Sequence, residues 1–264
     1  MSLLRLAALA ACFASSTAGS PQPVNFKASD GTPLFADFWA PRGKKAVLIL
    51  LHGVAAGRGE WTPLAEALRK EGYGALALDF RGHGQSGGPS YTTFATNESW
   101  AALEGDVRAA VRTLARRGVP ARRVGLVGAS VGANLAVKAA AKEPDIPCLA
   151  LLSSGIDYRG IRIDEDLSRF ARPVFLAASP QDEYAFESAL YLKGRVPDAH
   201  ATFVQVEQGH GAQMLAHGLL GPLMEWIRGS CGGAKEPSPR PSPAGGGRGR
   251  AGGSPPDGGR ERQP

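Results

Sequence analysis

From residue 46 to residue 228 the chain alternates strictly between short apolar runs and longer stretches with helical spacing. Residues 46–51 (Ala-Val-Leu-Ile-Leu-Leu) are apolar without a break, as are most of 73–80, 123–129, 148–153 and 173–178. A strand with no polar side must be covered on both faces, which is the situation of a parallel sheet sandwiched between helices. The stretches between carry the 3.6-residue period: Trp61, Leu64, Ala65 and Leu68 in 60–71, and Trp100, Leu103, Val107, Ala110, Val111 and Leu114 in 97–118. Helices are also expected over 131–143, 183–195 and 214–228, and a last strand over 201–206. This order demands a doubly wound, mostly parallel α/β sheet. Residues 24–28 and 33–39 alternate apolar and polar around Asp30-Gly31, which predicts an antiparallel hairpin at the N-terminal edge.

Composition matters mainly at the two ends. Residues 232–264 hold 10 Gly and 7 Pro and no aliphatic side chain larger than Ala. Such a stretch buries too little apolar surface to offset its ordering entropy, so it is expected to be a disordered tail. The tail carries a net charge of +3 and Arg5 adds +1, leaving +2 of the overall +6 for residues 21–231. The basic balance therefore sits at the ends, and nucleic acid is not an expected partner of the core. At the start, Arg5 precedes an apolar run over 6–14, too short to span a bilayer. Residues 1–20 read as an export signal with Ser16 and Ala18 before the cut. Leu9-Ala10-Ala11-Cys12 also resembles the lipobox of bacterial lipoproteins, which would leave a lipidated Cys12 as the only membrane attachment. The bland alternative is an Ala-rich start that is never cleaved. The expected organisation is thus a signal over 1–20, one domain over 21–231 and a tail over 232–264.

Of the other cysteines, Cys148 lies in a strand-like run and Cys231 opens the tail, so no bridge between them is expected. No Cys/His spacing fits a zinc site, and neither metal nor cofactor is expected.

In an open parallel sheet, chemistry collects at the C-terminal strand ends. Gly128-Ala129-Ser130-Val131-Gly132 joins the strand over 123–129 to the helix that follows. A G-x-S-x-G alone is a weak signal, but at a strand-to-helix turn it holds a serine hydroxyl clear of the sheet at a helix N-terminus. An N-cap role would explain Ser130 but not both glycines. A serine needs a base to take its proton, and His210 stands directly after the strand over 201–206. His52 also follows a buried strand, whereas His200 and His217 read as surface residues and His83 as packing in a turn. Asp182, after the strand over 173–178, is placed to orient His210, with Glu183 and Asp157 as rivals.

The order Ser130, Asp182, His210 resembles the α/β-hydrolase superfamily, whose chain order is nucleophile, acid, histidine. His52-Gly53 stands where the family places its oxyanion loop, and Asp79-Phe80-Arg81-Gly82-His83-Gly84-Gln85-Ser86 is similar to the family's D-x-R-G-x-G-x-S turn. The resemblance covers about residues 24–230 and implies backbone N–H groups of Val54 and Val131 as oxyanion donors. Only 18 residues, 155–172, are available where many relatives insert a cap, with a helix-like piece over 164–170. The resemblance is therefore to the dienelactone-hydrolase-like and small carboxylesterase branches, although true dienelactone hydrolases use cysteine where this chain has Ser130. The implied activity is a serine hydrolase acting on small-molecule carboxylic esters, with a peptidase or amidase as the alternative. Non-catalytic binding modules of the fold usually lack a triad member, and this chain has all three. Oligomeric state leaves no signature.

Overall fold

The computed structural model describes residues 20–231. The expected signal, Cys12 and the tail from 232 lie outside the described residues. Two strands, β1 (Gln22–Lys27) and β2 (Pro33–Trp39), form the expected antiparallel hairpin. It joins β3 (Val47–Leu51), β4 (Gly74–Asp79), β5 (Val124–Ala129) and β6 (Leu149–Leu152) in one sheet. After a separate two-stranded hairpin, β7 (Asp157–Tyr158) and β8 (Ile161–Arg162), the large sheet is completed by β9 (Val174–Ala178) and β10 (Ala201–Gln205). The eight strands lie in the order β1-β2-β4-β3-β5-β6-β9-β10, parallel from β4 onward.

The unbroken apolar runs have the predicted cause. Along β3, Val47, Ile49 and Leu51 belong to one core, and Leu48 and Leu50 to the other. The first core is closed by helices α3 (Glu104–Arg116) and α4 (Val131–Lys142), the second by α1 (Thr62–Lys70) and α7 (Leu220–Ser230). The remaining helices are α2 (Asn97–Ala101), α5 (Asp164–Ser168) and α6 (Glu183–Lys193). From β3 the chain passes to β4 on one side and then returns to β5 on the other. The C-terminal ends of β3 and β5 therefore flank a topological switch point, the usual place for a crevice in such sheets.

Three expectations need correction. The helix expected over 97–118 is divided into α2 and α3, with three-residue hydrogen bonds from Leu103 to Trp100 and Gly105 to Ala102 tightening the join. The helix expected over 214–228 begins only at Leu220, because Gly218 takes a left-handed conformation (φ 94°) that ends a preceding 3₁₀ turn, Gly211–His217. The third concerns the cysteines: Cys148 and Cys231 form a disulfide, with Cα atoms 5.7 Å apart. Cys231 is not the start of a tail but the residue that ends α7. Burial of Leu223, Met224 and Ile227 lays that helix on the sheet and brings Cys231 over the start of β6, where both cysteines are fully buried.

Candidate active site

Ser130 occupies the turn between β5 and α4 with φ 54° and ψ −126°, a conformation that costs a non-glycine residue free energy and is kept only where the surroundings enforce it. The surroundings do so through two glycines. A Cβ on Gly128 would lie 2.4 Å from the Gly132 carbonyl oxygen, and one on Gly132 would lie 2.4 Å from that of Leu51. With both absent, α4 sits directly on β3 and β5, and Ser130 is pushed out, half-exposed, over the strand ends.

His210 follows β10, and its Nδ1 lies 2.5 Å from Oδ2 of Asp182, the residue before α6. The backbone N–H of His210 donates to the Gln213 side chain at 3.2 Å, and the next N–H, of Gly211, donates to Ser153 Oγ at 2.9 Å. Ser153 is itself buried with φ 50°, so the base-bearing loop is tied to the end of β6. The rival acids are elsewhere. Glu183 is an exposed first-turn residue of α6, and Asp157 accepts the Gly160 N–H within its hairpin.

His52 can be excluded as a base on its hydrogen bonds. Its Nε2 accepts the Phe80 N–H at 3.1 Å, so the proton is on Nδ1, which donates to the Gly53 carbonyl at 2.7 Å. Burial lowers its pKa to about 4, and the ring stays neutral. Its role is mechanical. Because C=O and N–H of a trans peptide point in opposite directions, fixing the Gly53 oxygen also fixes the direction of the Val54 N–H. His83 stacks on Tyr91 at 4.3 Å and packs the turn, while His217 is exposed and pairs with Gln208. In the same turn, Asp79 binds the Arg58 guanidinium and the Gln85 N–H, and Ser86 Oγ donates to the Asp79 carbonyl.

Ser130, His210, Gly53 and Val54 line one cavity of about 310 Å³, together with Ala129, Glu60 and the 211–213 turn. The structure thus places Ser130, Asp182 and His210 beyond the C-terminal ends of β5, β9 and β10, with Val54 on one cavity wall and Val131 at the start of α4 beside Ser130. Among the described residues, no cluster of three His, Cys, Asp or Glu side chains could hold a metal ion, and no helix is long and apolar enough to cross a membrane.

Two nearby residues escape the sequence. Tyr158 stands on the β7-β8 hairpin, packed on Tyr184 and turned toward Ser130, and burial raises its pKa. The Tyr184 hydroxyl bonds both backbone groups of Asp157, and Asn134 of α4 bonds the carbonyls of Gly155 and Ile161, so the hairpin is fastened to the helix behind Ser130. Glu60 is the other, in the 3₁₀ turn Arg58–Trp61, with its side chain on the cavity wall.

Residues 42–190 match the family model described as serine aminopeptidase, S33. The chain is 29% identical over 178 residues to a 2-(acetamidomethylene)succinate hydrolase of Mesorhizobium japonicum, covering 67% of this chain and 59% of that protein. It is 30% identical over 138 residues to a monoglyceride lipase of Rattus norvegicus, covering 50% and 44%. The match thus spans less than two thirds of either relative's length. An esterase of Pyrococcus furiosus superposes with a TM-score of 0.67 at 21% identity, covering 80% of this chain and 93% of that one. A dienelactone hydrolase of Anabaena variabilis gives 0.64 at 17%, covering 80% and 99%. At these identities the structures speak for the fold alone.

Proposed function

The chain belongs to the serine aminopeptidase S33 family, within the α/β-hydrolase superfamily, and from that premise we propose that it is a hydrolase that cleaves carboxylic esters through an acyl-enzyme on Ser130. The observation that carries this reading is the 2.5 Å contact between His210 and Asp182 on the rim of the cavity that also holds the strained Ser130. Ser130 Oγ attacks the ester carbonyl while His210 Nε2 takes its proton. His210 then gives that proton to the departing alcohol. Water repeats the sequence on the acyl-enzyme, releasing the acid and restoring Ser130. Asp182 holds the Nδ1–H tautomer, and the N–H groups of Val54 and Val131 bind the oxyanion, where one donor is typically worth ~100- to 1,000-fold in turnover.

Substrate size follows from what covers the cavity. Between β6 and β9 the chain has only a two-residue-per-strand hairpin and the five-residue α5, too little for a lid over a long acyl tunnel. Short, soluble esters are the expected substrates, with activity falling beyond about eight acyl carbons. The same triad serves amides, and the family description favours testing them. p-Nitrophenyl esters of rising chain length, assayed beside aminoacyl-nitroanilides with wild type and Ser130→Ala, decide the class. Faster turnover of the anilides would replace the esterase reading with an aminopeptidase one.

The disulfide supports the expected export, since buried disulfides form and persist in oxidising compartments. Fractionation of cells expressing the full chain tests this, and recovery in the cytosol with free Cys148 and Cys231 thiols overturns it.

A further inference from the structure

The net charge of +2 over residues 21–231 hides a separation along the strand axis. Three connections at the N-terminal ends of β3, β4 and β5 carry nine cations and one acid. Before β3 stand Arg42, Lys44 and Lys45, and before β4, at the end of α1, stand Arg69 and Lys70 beside Glu71. Before β5 stand Arg116 and Arg117, then Arg122 and Arg123. These connections therefore hold +8 and the rest of the domain −6. Among the described residues none of the nine enters an ion pair, and Glu71 is taken by Arg228.

The three connections form one surface. The Arg42 guanidinium bonds the carbonyls of Arg69 and Lys70, each at 3.3 Å, and that of Arg123 bonds the carbonyls of Gly43 and Lys45 at 3.2 and 2.7 Å. Arg117 lies over the Phe38 ring, and Phe38, Gly43, Arg117 and Arg123 line one cavity of about 440 Å³. Part of the charge has a local cause. Arg69, Lys70 and Arg116 stand in the last turns of α1 and α3, where the helix dipole favours cations. Lys44 and Arg122 are exposed and bond nothing among the described residues. Like charges gathered without acids repel one another, so the cluster is satisfied best by an anionic partner outside the molecule.

The way the chain enters the domain says which partner. Gln22, the first residue of β1, pairs with Phe38, so the chain arrives beside this cavity. Cys12 is ten residues earlier, a reach of at most about 35 Å. The lipidation expected from residues 9–12 would thus tether the domain by its basic end. The buried disulfide belongs to an oxidising compartment, where a bilayer surface rather than nucleic acid is the extended anion at hand. The exposed large apolar side chains, Tyr184, Leu190 and Tyr191, all stand on α6, so contact at the basic end is electrostatic and involves no insertion.

We propose that the N-terminal ends of β3, β4 and β5 dock on an anionic phospholipid bilayer, which holds the cavity at the opposite strand ends toward solvent. The proposal does not depend on the ester reading, and its failure leaves that reading standing. Co-sedimentation with phosphatidylglycerol–phosphatidylcholine vesicles tests it, using the full chain with Cys12→Ser. Binding is expected at about 50 mM salt, at least 10-fold weaker at about 200 mM, and absent on phosphatidylcholine alone. Combining Lys44→Glu, Lys70→Glu and Arg122→Glu should weaken it at least ~100-fold, since each cation near such a surface is worth ~5-fold. Lys27→Glu with Arg159→Glu, exposed cations away from this end, should change it by less than ~5-fold. A triple variant within about 3-fold of wild type overturns the proposal, as does an equal loss in the control pair, which would make net charge the cause. Equal binding to neutral vesicles overturns it in favour of the apolar run over 6–14, and tighter binding to a DNA duplex than to the anionic vesicles overturns the choice of lipid.

Discussion

The two ends of the parallel strands are built to opposite ends. At the C-terminal ends, Ser130, Ser153 and Ala55 take positive φ, and the half-buried Glu60 has its Oε1 shut off from solvent and unpartnered. At the N-terminal ends, Cys148 is bonded to Cys231, and the Arg123 guanidinium bonds the carbonyls of Gly43 and Lys45. Positive-φ strain in non-glycine residues thus gathers at the cavity end, whereas the covalent staple lies at the other. Stability and chemistry are thus separated along the strand axis by about the length of five residues, and substitutions at the two ends should be read by different assays.

The largest effect belongs to the cavity end. Asp182→Asn should lower kcat about 10⁴-fold by favouring the wrong His210 tautomer, while the melting temperature barely moves. A loss of less than tenfold would point to Glu183 or Asp157 as the acid and break the division at this end. Replacing both cysteines by serine should do the reverse. Opening a loop with a sequence separation of 83 residues costs on the order of 4 kcal/mol, or roughly 10 °C in Tm, with kcat at 25 °C nearly unchanged. A drop in kcat without a drop in Tm would mean that the staple serves the site.

Glu60 sharpens the comparison because it sits at the cavity end yet has a stability signature. Its folded-state pKa lies above the ordinary glutamate range, so the folded protein keeps a proton that the unfolded chain has lost between about pH 4.5 and 7. Stability should fall as pH rises through that window and stay low above it. Glu60→Gln should therefore gain on the order of 2 kcal/mol at pH 8 and little at pH 5, read by urea unfolding at the two values. An equal gain at both would indicate packing rather than ionisation. The smallest effect is expected outside the described residues. Removing 232–264 while keeping Cys231 should change neither Tm nor turnover, and a fall of several degrees would move the proposed domain boundary.

Much of this division was legible beforehand. The strands buried on both faces announced themselves because Val47–Leu51 must satisfy two cores at once. The Ser130 turn was readable because only glycine fits at 128 and 132. The bridge was not, since its formation depends on where α7 lands, and a cysteine beside a Gly-rich stretch carries no local sign of that. The β7-β8 hairpin was missed for a related reason. Its turn places Arg159 and Gly160 at positive φ, a geometry normally signalled by Asn-Gly or Asp-Gly, and its strands are too short to show alternation. Glu60 looked like an ordinary acid at a helix start, and only its place on the cavity wall, with Oε1 shut off from solvent, distinguishes it.

The central claim, that the cavity end of the sheet is a serine-nucleophile site, is tested most directly by a fluorophosphonate probe followed by peptide mapping. The account predicts a single adduct, on Ser130, that disappears in Ser130→Ala and forms at least 100-fold more slowly in His210→Ala. An adduct on another residue, or undiminished labelling of Ser130→Ala, would contradict it.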